Sequence, residues 1–136
     1  MIFVDTGAFL GKYLPDDQHH VQAESIWRRI EHDKEGFCTS NFILDELATL
    51  LGRRSSHGFA AQKIRGIYES ELIDIFRPDE AEEHDALTFF EKYYDQDVSF
   101  TDCVSFALMK RRGIHRAFSF DRHFDLPGFT RIPLVS

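Results

Sequence analysis

Ile2-Phe3-Val4-Asp5-Thr6-Gly7 starts with three apolar residues and stops at an acid followed by turn-forming residues. That pattern reads as a short buried strand ending in a tight turn. Comparable short runs follow at Phe37-Cys38-Thr39, Leu72-Ile73-Asp74-Ile75-Phe76, Arg116-Ala117-Phe118-Ser119-Phe120 and Arg131 to Val135. Helical patterns separate them. Residues 8–14 read as a short helix ended by Pro15. Val21, Ala23, Ile26, Trp27 and Ile30 recur at helical spacing and predict a helix over 19–33. Further helices are expected at 41–53, at 57–70, at 79–94 after Pro78 with acids in its first turn, and at 101–112 before Gly113. Strands separated by helices pair in parallel through right-handed crossovers. The class is therefore α/β with an open, mainly parallel sheet.

The rest of the chain agrees with one domain over residues 1–136. At 43% hydrophobic and 29% charged residues, the composition is that of a globular core with a solvated surface. The net charge of −7 excludes a general polyanion-binding coat, though not a local basic patch or a bound cation. The charge is uneven: residues 74–102 hold ten acids and two bases, most simply a solvated helix face. Cys38 and Cys103 have no metal-site or disulfide spacing and read as reduced, buried thiols. Met1 to Asp5 carries no basic leader and no long apolar run, so neither a secretory signal nor a membrane anchor is expected, and a cytoplasmic location is.

Four acids stand out. Asp5 and Asp121 each end a predicted strand, and in open parallel sheets ligands gather beyond the carboxyl ends of the strands. The competing role for each is a turn or helix N-cap. Asp102 closes Ser99-Phe100-Thr101-Asp102, a capping-box pattern ahead of an apolar helix whose first turn could open into an interior cleft. In the helix over 41–53, Ile43, Leu44, Leu47, Leu50 and Leu51 form an apolar stripe. Glu46 falls about 40° from Leu50, on the edge of the stripe, and Asp45 falls on the opposite face. Glu46 should thus face a cleft and Asp45 the solvent.

Two carboxylates about 5 Å apart repel by roughly 3 kcal/mol at an effective dielectric near 20. Four in one cleft need a counter-charge, and an all-oxygen donor set favours Mg²⁺ or Mn²⁺ over zinc. Such a site suits phosphodiester hydrolysis.

In these motifs the chain resembles the PIN-domain ribonucleases, and among them the VapC-type toxins of prokaryotic toxin–antitoxin pairs. The matching segments are Ile2 to Leu10, Thr39 to Leu47, Ser99 to Cys103 and Phe118 to Phe124, spread over essentially the whole chain. The resemblance implies a three-layer α/β/α fold. It places Asp5, Glu46, Asp102 and Asp121 around Mg²⁺ or Mn²⁺ as the catalytic acids, with Thr6 and Ser99 supporting them. Asp125 is a further or substitute acid. The family implies an endoribonuclease acting on structured RNA, a homodimer, and a small VapB-like antitoxin that blocks the cleft.

Other readings compete. An aspartate-based phosphatase needs a second acid near Asp5, and Thr6-Gly7 supplies none. A phosphoacceptor receiver domain needs an Asp at the end of a mid-chain strand, where Ile43 to Leu51 reads as helix. A catalytically inactive PIN-like scaffold is opposed by retention of all four acids. The seven histidines form no metal motif, and His123 is expected to serve packing or surface rather than substrate. Arg53, Arg54, Lys110, Arg111, Arg112, Arg116 and Arg122 are the candidate RNA contacts. The 110–112 run at a helix end also suits the helix dipole, and that role is preferred.

Overall fold

The computed structural model describes residues 1–133. Strands β1 (Ile2–Val4), β2 (Phe37–Ser40), β3 (Ile73–Phe76), β4 (Arg116–Phe118) and β5 (Thr130–Ile132) form one sheet in the order β3-β2-β1-β4-β5, every pair parallel. Helices α1 (Thr6–Tyr13), α2 (His20–Asp33), α3 (Asn41–Arg54), α4 (His57–Glu69), α5 (Glu80–Lys92) and α6 (Phe100–Arg111) cover its faces. This is the expected three-layer α/β/α arrangement. β1 and β2 are buried along their whole length, whereas the edge strands β3 and β5 are partly exposed. Phe3, Phe9, Phe106, Phe118 and Phe124 are fully buried between the layers.

The sheet order fixes where a site can form. From β1 the chain builds outward to β2 and β3 on one side, then returns to place β4 and β5 on the other. The crevice beyond the carboxyl ends of β1 and β4 lies at this reversal, where open α/β sheets bind ligands. Asp5 follows β1 directly, and its N–H donates to the Phe118 carbonyl of β4 at 3.0 Å.

Most expected elements stand within a residue or two, with three differences. α1 starts at Thr6, two residues early, because Asp5 is extended and takes the N-cap position. β4 stops at Phe118 rather than at Phe120. Ser119 N–H still donates to the Ile132 carbonyl, but the Ser119 hydroxyl turns inward and the chain bends into an unforeseen 3₁₀ turn over Arg122–Asp125. β5 covers Thr130–Ile132; Pro133 lies in a bend, and the last two residues of the strand expected to Val135 lie outside the described residues.

Gly113 ends α6 as expected. Its φ of +67° is left-handed, and the Ile114 and Gly113 N–H groups donate back to the Met109 and Lys110 carbonyls. Gly11 lets α1 and α2 approach, since a Cβ there would fall 2.7 Å from the Ala23 Cβ. Both cysteines are free and buried, and burial pushes the Cys38 thiol up to about 12 and Cys103 to about 11, so neither is a ready nucleophile.

Candidate active site

A cavity of about 860 Å³ opens at the β1/β4 crevice, and Asp5, Glu46, Asp102 and Asp121 all line it. Each arrives on a different element: the turn after β1, the middle of α3, the first turn of α6 and the segment after β4. The helical phase of α3 is as expected, with Glu46 half-buried on the cleft side and Asp45 exposed.

The competing capping roles divide. Asp5 occupies an N-cap position but its carboxylate makes no capping bond to α1. It turns to the sheet instead, where it accepts the Ser119 hydroxyl at 2.7 Å. Ser119 Oγ in turn accepts the Asp121 N–H at 3.0 Å, so one buried hydroxyl ties two of the acids together. Asp102 does form the capping box: Ser99 Oγ accepts the Asp102 N–H at 3.0 Å, and Asp102 accepts the Ser99 N–H at 3.3 Å. Capping and facing the cleft are compatible here, because the box fixes the carboxylate at the mouth of α6. Ser99 itself is occupied in that box. Asp121 caps the 3₁₀ turn through the His123 N–H at 2.9 Å.

The electrostatics are strained in one direction. Asp5 is only 6% exposed. Burial first, then the neighbouring Asp102 and Asp121 charges, push its carboxyl up to about 7 against the help of Ser119 and Thr6. Asp102 is also raised, by burial and then by Asp121, with the Ser99 N–H and His123 opposing. His123, expected in packing or at the surface, is brought to the cavity. Its Nδ1 lies 3.2 Å from Asp102 and 3.1 Å from Asp121. The Asp-x-His spacing across a tight turn was the available signal, but only the fold shows that the turn meets α6.

Asp102, Asp121 and His123 can each present one ligand atom within 4.8 Å of the others. Asp5 adjoins them through its charge coupling, and Glu46 faces them across the cavity. A hard divalent cation fits this set, being dominated by carboxylate oxygens. A second observation agrees. Thr6 Oγ1, beside Asp5 on the cavity wall, is buried and has no hydrogen-bond partner among the described residues, which leaves an oxygen for a ligand or its water shell. Asp125 does not join the group. Arg131 donates to both of its carboxylate oxygens, at 2.9 and 3.0 Å, and it does not line the cavity.

Several candidate RNA contacts are instead occupied in the scaffold. Arg111 pairs with Asp85, and Arg116 with Glu35. Arg112 donates to both oxygens of the buried Glu82 and lies over the Phe76 ring. Arg54 and Arg122 do line the cavity. Arg54 reaches Asp17 at 2.6 Å, and Arg122 forms no ion pair among the described residues.

A model of the PIN-domain family matches residues 2–129. The chain is a PIN domain. This PIN domain is 32% identical over 132 residues to a Mycobacterium tuberculosis protein named 23S rRNA-specific endonuclease VapC20, covering 97% of this chain and 98% of that protein. It is 32% identical over 133 residues to a VapC ribonuclease of Archaeoglobus fulgidus, covering 94% of this chain and 81% of the relative. The crystal structure of M. tuberculosis VapC20, described as a sarcin-ricin loop cleaving toxin, superposes with a TM-score of 0.85 at 31% identity, over 95% of this chain and 96% of that one. The PIN domain is thus of the VapC type.

Proposed function

We propose that this VapC-type PIN domain is an endoribonuclease toxin that hydrolyses RNA phosphodiester bonds with Mg²⁺ or Mn²⁺ at Asp5, Glu46, Asp102 and Asp121. The observation that carries the proposal is the convergence of these acids on one crevice where Asp5 is pushed up to about 7. Burial, and after it the neighbouring acids, make an ionised Asp5 and Asp102 unfavourable in an empty site and favour a bound cation.

When bound, the cation would neutralise this charge, activate water and stabilise the phosphoryl oxygens. The chain's own residues do the rest. Asp5, Asp102 and Asp121 hold the charge that recruits the cation, and Ser119 keeps Asp5 and the Asp121 backbone in register. Ser99 orients Asp102 by capping. Glu46, on a separate helix, is positioned to take a proton from the attacking water. Thr6 offers its free hydroxyl oxygen beside Asp5. Arg122, and Arg54 at the other side, meet the phosphates that an acidic crevice alone would repel.

The substrate class is RNA. The ribosomal target named for the M. tuberculosis relative makes a structured ribosomal RNA loop the first substrate to test. The partner reading follows the family: a small VapB-like antitoxin covering the cleft, and a homodimer. The homodimer is supported by Leu87, Phe90 and Tyr94, which stand exposed along and just beyond α5. Among the described residues no helix is long and apolar enough to cross a membrane. Action on cellular RNA is what places the protein in the cytoplasm in this reading.

The deciding experiment incubates purified protein with ribosomal RNA and maps new 5′ ends. Cleavage should disappear in EDTA and return with Mg²⁺ or Mn²⁺. Undiminished cleavage in chelator would remove the metal from the mechanism, and no cleavage in any metal would favour an inactive scaffold.

A further inference from the structure

His19, in the loop between α1 and α2, lies flat against Phe120, with ring centroids 4.1 Å apart and planes 4° from parallel. Both rings line the carboxylate cavity. Phe120 is backed from the core by Phe118 at 6.0 Å in an edge-on contact. It also abuts the start of α1, since a Cβ on Gly7 would fall 3.8 Å from its ring. The platform therefore rests on the two elements that carry Asp5 and Asp121.

The loop that presents His19 is tied down. Asp17 accepts the His19 N–H at 3.0 Å and is held at 2.6 Å by Arg54 from the end of α3. The next residue, His20, places Nδ1 2.7 Å from the Gly11 carbonyl. These anchors fix a half-buried polar aromatic ring at the rim of a cleft. One face of the ring is covered by Phe120, and both residues line the cavity.

We propose that the His19–Phe120 stack is a subsite that holds one unpaired RNA base beside the bond to be cut. The proposal rests on the ribonuclease reading of the cleft and deepens it by naming what the RNA must offer. Flat aromatic faces stack on any base, and only a base free of its neighbours can present a face to them. The substrate at this site is then a loop or single-stranded segment, with the base on His19 and the adjoining phosphate over the acids. Duplex RNA, whose base faces are all occupied, is excluded.

The test uses an RNA stem-loop carrying 2-aminopurine at single loop positions, titrated with wild-type protein at low salt, in EDTA and with Ca²⁺ in place of Mg²⁺, so that binding is read without cleavage and with the carboxylates countered. Quenching of the fluorophore at one or two loop positions, and none when it lies in the stem, is the expected result. His19→Ala should abolish the quenching and weaken binding about tenfold or more, the range for one stacked base. His19→Trp should keep both, whereas His19→Lys should lose the quenching. In the cleavage reaction, His19→Ala should raise KM more than it lowers kcat. A lysine that restores binding where tryptophan does not would make this a phosphate contact and overturn the stacking subsite. Failure of the wild-type protein to quench at any loop position would overturn it as well, even if the RNA is cut. Quenching by a protein that cuts no RNA in any metal would leave the subsite standing and remove the nuclease reading.

Discussion

Replacing Asp5 with Asn should stabilise the protein in the absence of metal while abolishing its activity. The buried carboxyl is raised from 3.8 to about 7. Each pH unit of displacement is worth about 1.4 kcal/mol, so keeping Asp5 ionised above pH 7 costs the fold about 4 kcal/mol. Below pH 4 the carboxyl is protonated in both folded and unfolded chains, and the penalty is absent. Between about 4 and 7 the unfolded chain ionises Asp5 while the folded one holds its proton, so stability falls as pH rises. Above 7 the full penalty applies.

An Asn side chain removes the penalty and can keep the local bonds. Its Oδ1 can accept the Ser119 hydroxyl, and its amide can donate toward the Asp102 and Asp121 carboxylates. For 136 residues, an unfolding entropy of about 2 cal/mol/K per residue converts 4 kcal/mol into roughly 10–15 °C. The assay is thermal denaturation of wild-type and Asp5→Asn protein in EDTA from pH 4 to 9. The two should coincide near pH 4, diverge as pH rises, and differ by a constant amount above about 7, the variant melting higher. Saturating Mg²⁺ should then raise the wild type and leave the variant nearly unmoved, since only a site that binds the ion gains from it. A variant that melts at or below the wild type in EDTA at pH 8 would refute the reasoning.

Glu46→Gln should abolish cleavage and Asp45→Asn should leave it near wild type, because one faces the cavity and the other solvent; the same RNA assay reads both. Ser119→Ala strips Asp5 and the Asp121 N–H of their shared partner, and should lower activity strongly while destabilising the fold by about 1–3 kcal/mol in chemical denaturation. The neutralising antitoxin should insert an Arg or Lys among Asp5, Glu46, Asp102 and Asp121, since a buried anionic cluster is best met by a cation. Changing that residue to Ala should restore cleavage more than it weakens copurification, and undiminished inhibition would show that steric cover suffices.

What could be read from residues alone was what depends on local pattern. The phase of α3 separated Glu46 from Asp45 because a hydrophobic stripe has a direction. Ser99-x-x-Asp102 announced its capping box, and the basic run at 110–112 stands at the end of α6 as expected, though its ion pairs with Asp85 and Glu82 could not be read from the run. The acidic stretch read as a solvated face holds two exceptions, Glu82, which is buried on Arg112, and Asp102, which lines the cavity. The contacts that escaped notice are tertiary. Nothing within Phe118 to Asp121 says that the Ser119 hydroxyl will meet Asp5, just past the end of β4. The approach of His123 to Asp102 and Asp121 and the stacking of His19 on Phe120 are tertiary in the same way. Asp125 resembled a spare site acid because its partner, Arg131, comes from the adjoining edge strand.

Ser119 and Asp5 lie 114 positions apart. The sheet order has a temporal meaning in a cell. During synthesis β1, α3 and the start of α6 emerge first, and they carry three of the acids without the strand that would gather them. Only when β4 slots in beside β1 does the crevice close into a working geometry. Such long-range pairing is the slow step of parallel-sheet assembly. A nascent chain of this kind cannot gather its acids until nearly all of it has been made.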